Sequence, residues 1–312
     1  MNLFLTSFLV VFPLALKLGL GFFLRKVRII SSQSFKEFNK LTFILFLPIL
    51  LFNNIYQGDI QNDFKGDLII FSLISISLIF FLLMFIIPRI EKANPKRGVL
   101  IQAVTRSNFI LFGIPVAQAL YGKEALGQAS IMVSVAVPLM NTLSVIALQT
   151  FNGKKVKLTK ILIEIAKTPI IIAAFSAYVL ALTGIRLPEF IEQFIAELAS
   201  IATPIALIIL GGSVTFQHLS SHRRQLLIGM SAKLVIVPLL GVTGAILMGF
   251  RNESLVILMA LFSSPTAVSS YAMATQMGGD SDLAGLLVVF TTFTSIITIF
   301  FITFALLAMH LI

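Results

Sequence analysis

Long apolar runs, broken only by single small polar residues, follow one another along this chain with short charged turns between them. A helix crosses a bilayer with about 20 predominantly apolar residues. On that length the runs divide into ten, at 2–24, 41–57, 68–88, 99–120, 128–151, 161–184, 192–216, 226–249, 254–277 and 283–310. Two of them carry interruptions at mid-span. The run Val99 to Leu120 holds Ser107-Asn108 and then Gly113-Ile114-Pro115. The run Ser254 to Met277 holds Ser263-Ser264-Pro265-Thr266 and then Ser269-Ser270-Tyr271. Hydrocarbon offers a helix no hydrogen-bond partners, so Gly and Pro there free backbone groups that are tolerated only beside a cavity or inside protein. Interrupted spans at equivalent places in two halves are a pointer to a transporter's binding site.

The interruptions fall in the fourth and ninth spans, which implies two repeats of five. An odd number of crossings per repeat makes the second repeat enter from the opposite side. The expected fold is therefore an all-α polytopic membrane protein with ten transmembrane helices, a 5+5 inverted repeat, and broken, crossing helices four and nine. Residues 1–150 form the first repeat, 151–160 a cytoplasmic linker and 161–312 the second repeat. Residues 188–200, with Glu189, Glu192 and Glu197, read as an amphipathic interfacial entry to span seven.

Composition narrows the class further. Hydrophobic residues make up 58% of the chain and charged residues 12%, about half the roughly 25% usual in globular domains. No Lys or Arg precedes the first apolar run, which argues against a cleaved leader. Cys is absent, so no disulfide, thiol nucleophile or thiolate metal site is expected. His218 and His222 share one loop and His310 lies at the far end, so no metal site and no cofactor is expected either.

A formal charge of +10 would suit nucleic acid, but its distribution suits a membrane. Loop 1–2 holds Arg25, Lys26, Arg28, Lys36 and Lys40, and loop 3–4 holds Arg89, Lys92, Lys96 and Arg97. Loop 5–6 adds Lys154, Lys155, Lys157 and Lys160, and loop 7–8 adds Arg223 and Arg224. The alternate loops hold one cation each: Lys65, Lys123, Arg186 and Arg251. Cations in short loops mark the cytoplasmic side. Both termini are therefore expected outside, in the plasma (inner) membrane, with Asp59, Asp63 and Asp67 in loop 2–3 in agreement. Loop 9–10, with Asp280 and Asp282 and no cation, is the exception.

At the broken spans the sequence acquires a likeness. The run Ser107-Asn108-Phe109-Ile110-Leu111-Phe112-Gly113-Ile114-Pro115, ending Leu120-Tyr121-Gly122, resembles the fourth span of the auxin efflux carrier family. That family includes bacterial malate-permease-like proteins and the plant PIN carriers. Further matching pieces are Leu47-Pro48 with Asn53-Asn54, Lys167-Thr168-Pro169, and Thr203-Pro204 with Leu210-Gly211-Gly212. Lys233 through Pro238 and Pro265-Thr266-Ala267-Val268 complete the set, so the likeness covers nearly the whole chain. It implies spans four and nine crossing beside the substrate, a scaffold of spans one, two, six and seven, a mobile transport unit from spans 3–5 and 8–10, and a homodimer. The large cytoplasmic loop of many plant members is missing, which favours a short bacterial-type carrier.

Four cations fall within the expected spans: Lys17, Arg106, Lys167 and Lys233. Arg106 is nine residues past Arg97, hence roughly 13 Å into the membrane at about 1.5 Å per residue. An intramembrane Arg is costly and a functional candidate, because its fork can grip a carboxylate by two hydrogen bonds. It could equally hold freed carbonyls of a neighbouring break. Lys167 lies at i+3 from Glu164, a helical pairing distance, and Lys17 and Lys233 could snorkel to opposite faces. Asn108 can donate to a carboxylate, or bridge helices as an ordinary amide link. Pro115 and Pro265 are expected to make the breaks, whose half-helix starts attract anions. Gly113, Ile114, Thr266, Ser269, Ser270 and Tyr271 stand at the breaks, with Asn53, Asn141 and the neighbouring Asn54 as wall residues.

Three functions compete. The first is a secondary or potential-driven carrier of a small organic anion, a malate-like carboxylate, working by elevator-type alternating access. Uptake would need a co-transported proton or sodium ion. The second is a sodium-coupled organic anion symporter of the bile-acid type. The third is an intramembrane enzyme, since Met277-Gly278-Gly279-Asp280 nearly matches a Gly-x-Gly-Asp protease motif but has no partner Asp within a span. No phosphate-cradling Gly-Lys-Ser/Thr loop occurs.

Overall fold

Helices account for most of the described residues, and many of their ends fall at Pro, Gly or charged residues. The structure is a computed structural model that describes residues 3–58, 64–122, 124–152, 163, 166–212 and 220–312. Asp59, Asp63, Lys123, Glu164, His218 and residues 153–160 of the expected linker lie outside the described residues.

In chain order the helices are α1 (Leu3–Lys26), α2 (Ser32–Leu41), α3 (Leu47–Gln57), α4 (Gly66–Ile90), α5 (Asn94–Thr105), α6 (Ile114–Tyr121) and α7 (Glu124–Asn152). Then follow α8 (Pro169–Thr183), α9 (Glu189–Gly212), α10 (Arg223–Ser231), α11 (Val237–Leu247), α12 (Asn252–Ser263), α13 (Ser269–Gln276) and α14 (Ser281–Ala308). Among the described residues, seven helical stretches are long and apolar enough to cross a membrane. They correspond to expected spans one, two, three, five, seven, eight and ten. Spans four, six and nine appear only as the shorter apolar helices Phe109–Tyr121, Pro169–Thr183 and Asn252–Ser263.

Three widened turns link helices within what would otherwise be one rod. Thr42–Phe46 joins α2 to α3, Phe109–Gly113 leads into α6, and Ala232–Ile236 joins α10 to α11. In each the closing amide reaches five residues back: Leu47 to Thr42, Ile114 to Phe109 and Val237 to Ala232. In each a proline stands two residues past the end of the turn, namely Pro48, Pro115 and Pro238. Proline lacks an N–H and its ring collides with the carbonyl four residues back. The extra residue in the turn places that carbonyl elsewhere, as such bulges do. Lys40, expected in loop 1–2, is therefore helical, at the end of α2.

Packing sorts the helices into two groups. α1 lies along α9, and α3 along α8 and α9. α1 and α9 touch at backbone distance: a Cβ on Gly21 would stand 1.8 Å from the Ile208 carbonyl oxygen, and one on Gly211 2.0 Å from that of Leu18. Only glycine fits there, as at small-residue helix crossings in membranes. The other group joins α4, α5 and α7, and α10 to α12 with α14. The groups meet where α1 touches α14 and α3 touches α7.

One end of the second group is tied by polar contacts. Asp280 caps α14 by accepting the Leu283 N–H at 2.9 Å, lies 3.0 Å from His222 Nε2, and donates its backbone N–H to the Pro95 carbonyl. Glu91, buried after α4, accepts from Ala93 N–H at 2.8 Å and Gln225 Nε2 at 2.7 Å. Arg97 donates to the Glu91 and Pro88 carbonyls, and Arg224 to that of Ile90. Loops 3–4, 7–8 and 9–10 thus gather on one face. The acidity of loop 9–10 has a local cause, because Asp280 and Asp282 stand at a helix start where negative charge is favoured. At the opposite end of the first group the Tyr56 hydroxyl donates to Glu192 and accepts the Leu187 N–H at 2.8 Å. Of residues 188–200, all but Pro188 form the first half of the continuous helix α9.

Candidate functional site

Both broken spans are interrupted, and the interruptions pair with each other. α5 ends at Thr105, and Arg106 follows in extended conformation (φ −82°, ψ 127°). α12 ends at Ser263, and Ser264 is extended too (φ −62°, ψ 146°), the region favoured before a proline. Ser107 and Thr266 form an antiparallel bridge, with the Asn108 N–H donating to the Pro265 carbonyl at 2.8 Å. The Thr266 hydroxyl donates to the Ala103 carbonyl at 2.8 Å, and its backbone N–H reaches Thr291 Oγ1 at 3.1 Å. Gln102 Nε2 donates to the Ser270 carbonyl at 2.8 Å. Backbone groups that two broken helices expose are thus largely satisfied by one another, as burial away from water demands.

This geometry corrects several expectations. The first break is at Arg106–Asn108, and Gly113-Ile114-Pro115 lie beyond it where the widened turn runs into α6. Pro115 therefore does not make that break. Ser269, Ser270 and Tyr271 are helical, forming the first turn of α13 rather than part of the interruption. Lys167 is exposed, in the turn before α8, and outside any helix interior. The partner proposed for it, Glu164, is among the residues not described.

A cavity of about 390 Å³ opens beside the crossing. Of the expected site residues it is lined by Arg106, Asn108, Asn141 and Ser269. Gly113, Ile114, Pro115, Pro265, Thr266, Ser270, Tyr271 and Asn53 are not in its wall. Thr266 and Ser270 are committed to the crossing, and Tyr271 is 49% exposed beside Gly285. Asn53 and Asn54 sit on α3 beyond Leu47, which does line the cavity.

Arg106 is the centre of the polar wall. Its side chain is 5% exposed. One terminal nitrogen donates to Asn141 Oδ1 at 2.7 Å and Ser269 Oγ at 2.8 Å, and the other contacts Met273 Sδ at 2.6 Å. None of these partners is charged and none is a backbone carbonyl; a thioether is a weak acceptor. Next to it the Asn108 side-chain nitrogen and the Ser107 hydroxyl are buried without a hydrogen-bond partner. Apart from Thr168, the rest of the wall is apolar: Phe43 and Ile44 from the α2–α3 turn, Leu47 at the start of α3, Ile110 and Leu111, Val137, Val145, and Ile170 and Ile171 of α8.

Sequence reasoning missed Ser107, Met140 and Met273. Met273 lies four residues past Ser269, on the same face of α13, and Met140 accepts the Ser107 N–H at 3.4 Å. That i, i+4 spacing was the available signal. The aromatic wall from Thr42–Phe46 had none, because residue spacing on a regular helix does not foretell a widened turn.

An all-helical apolar chain whose two interrupted helices pair across a cavity, with a buried cation in its wall, belongs to the class of membrane transport proteins. The chain matches the family described as "Membrane transport protein" over residues 6–303, and it is a member of that family, the auxin efflux carriers. It is 23% identical over 273 residues to "Uncharacterized transporter YfdV" of Escherichia coli (strain K12), covering 85% of this chain and 86% of that protein. The proteins of the same name in Escherichia coli O157:H7 and Shigella flexneri match equally.

Proposed function

We propose that the chain is a secondary carrier of a small organic anion, whose carboxylate is held by Arg106 and the Asn108 amide. The observation that carries this is a buried guanidinium with no charged partner beside an amide with unmet donors, both facing one cavity. Burying a charge without a counter-ion is costly, and a bound carboxylate would supply it through charge-assisted hydrogen bonds. The first turns of both second half-helices, at Phe109–Leu111 and Val268–Ser269, face the same space, and helix starts favour anions. Because the remaining wall is apolar apart from Thr168, it suits one carboxylate on an apolar body better than malate, whose second carboxylate would lie mostly against Ile and Phe.

In this reading the fold is a ten-helix inverted repeat, and the α1–α3, α8 and α9 group is the scaffold, homodimeric through that face. The second group is the mobile transport unit, its one end clamped as a block by Asp280, Glu91, Arg97 and Arg224. Both termini face outward from the inner membrane, with the basic loops in the cytoplasm. Asp280 is engaged with His222 and a helix start, which suits capping and gives no support to protease chemistry.

A thermal-shift panel of carboxylates tests the reading, since a ligand of the native state raises stability by mass action. Aromatic or branched monocarboxylates such as benzoate should raise Tm more than malate does. Arg106→Lys keeps the charge but loses the fork, and should weaken the best ligand about tenfold, roughly 1.4 kcal/mol. Unchanged affinity with lowered Tm in that variant would assign Arg106 to structure. Repeating the panel with sodium replaced by potassium separates this carrier from the sodium-coupled alternative.

A further inference from the structure

Among the described residues Lys233 joins Arg106 as a buried Lys or Arg, and the anion site makes no use of it. It is 1% exposed, lies near the middle of the 25-residue stretch Arg223–Leu247, and sits within the widened turn Ala232–Ile236. No ion pair or hydrogen bond to its ammonium occurs among the described residues. Its depth can be read from Gly229, one turn earlier on the same helix face. A Cβ there would meet Leu287 at 2.4 Å and Leu100 at 3.3 Å. α5, α10 and α14 all start at the same tied end. One turn further in, Lys233 is therefore level with Thr105 on α5 and Thr291–Thr292 on α14, the depth of the crossing. Lys233 does not line the cavity of the anion site.

The elements packed on its turn are α5, α10, α11, α12 and α14. Their charged groups are Lys96 and Arg97 at the start of α5 with Arg106 past its end, Arg223 and Arg224 on α10, Glu253 on α12 and Asp282 on α14; α11 has none. The two carboxylates stand in the first turns of their helices, far from this depth. Three of the elements packed on its turn carry unmet polar atoms: Gln102 Oε1 and Thr105 Oγ1 on α5, Ser263 Oγ on α12 and Thr292 Oγ1 on α14 are all buried without partners. None of them is bonded to another group, so they are the unused acceptors on the elements around this lysine.

We propose that Lys233 binds the co-transported proton, a role that rests on the anion reading above. The amine takes up H⁺ to become the ammonium when the anion sits on Arg106, and returns it when the anion leaves. Charge then balances on both legs. The loaded unit carries Arg106, the ammonium and one anion, for one net positive charge; the empty unit carries Arg106 and a neutral amine, again one. The cycle moves one anion with one proton and no net charge.

The test uses protein labelled with [6-13C]lysine in nanodiscs, where the signal missing from Lys233→Arg identifies Lys233. Lys233→Met serves if the arginine variant does not fold. The signal should titrate within about pH 5 to 9, and saturating benzoate should shift the midpoint upward by about one unit, a tenfold gain in proton affinity. A signal that does not titrate overturns the proposal. So does a titration that benzoate leaves in place while still raising Tm. If neither benzoate nor malate raises Tm, the anion reading falls and the coupling with it, and the ligand-free titration alone decides whether Lys233 binds a proton.

Discussion

Asn108 divides its work between backbone and side chain. Its N–H pairs with Pro265 and its carbonyl accepts the Phe112 N–H at 3.0 Å, so the main chain is spent on the crossing. The side-chain amide is left with unmet donors at the cavity wall. Asn108→Ala should therefore leave the crossing intact and weaken carboxylate binding by about 1.5–3 kcal/mol, the worth of a hydrogen bond to a charged group. Asn108→Asp should do more harm, because it sets a like charge against the ligand. Titration of both variants by thermal shift checks this, and tighter binding by the Asp variant would reverse the sign of the cargo. Arg106 and Asn108 were legible as a pair because an intramembrane cation and amide two residues apart have few structural uses. Asn53 was not excluded because helical phase across a widened turn cannot be counted from sequence, nor was Tyr271, because the phase restarts after the break at Ser264-Pro265.

The two breaks differ in what holds them open. The second contains Pro265, which itself cannot donate and pushes Ser264 into extended conformation. The first contains neither Gly nor Pro in Arg106-Ser107-Asn108, so its extended form is held through the bridge to the second. Pro265→Ala should loosen both breaks and lower carboxylate binding and flux while the protein still inserts. Pro115→Ala should have little effect on binding, since Pro115 follows a widened turn beyond the break; equal loss in both variants would refute the distinction. Helix joints at the tied end carry a different dependence. Burial pushes the Glu91 carboxyl up, yet hydrogen bonds from Ala93, Gln225 and Lys92 and the nearby Lys96 charge outweigh it and hold the group below its usual value. A carboxyl lowered in the folded state adds stability above its unfolded value, about 4.3, and loses it as pH falls through the folded one. The Tm advantage of wild type over Glu91→Gln should accordingly be full near neutrality and shrink on acidification below about pH 5.

At the scale of the molecule, the class was legible from run length and the cation count of alternate loops. These follow from the bilayer's thickness and charge rule, which act on every span alike. The exact helix ends were less legible. The expected spans four, six and nine are interrupted because Arg106, Thr168-Pro169 and Ser264-Pro265 break helices that composition alone would continue. The close seam of Gly21 and Gly211 against facing carbonyls was invisible too, since a helix contact between distant segments leaves no local pattern.

The bridge between Ser107 and Thr266 has a consequence for how the molecule comes into being. A ribosome delivers Arg106, Ser107 and Asn108 to the membrane well before Pro265 and Thr266 exist. During that interval the first half holds a broken helix whose amide at Asn108 has no partner in lipid. The crossing, and with it the candidate site, is unfinished until the last third of the chain completes it. The early half must wait in a guarded form, with Arg106 kept near water or against the insertion machinery, until the second half arrives.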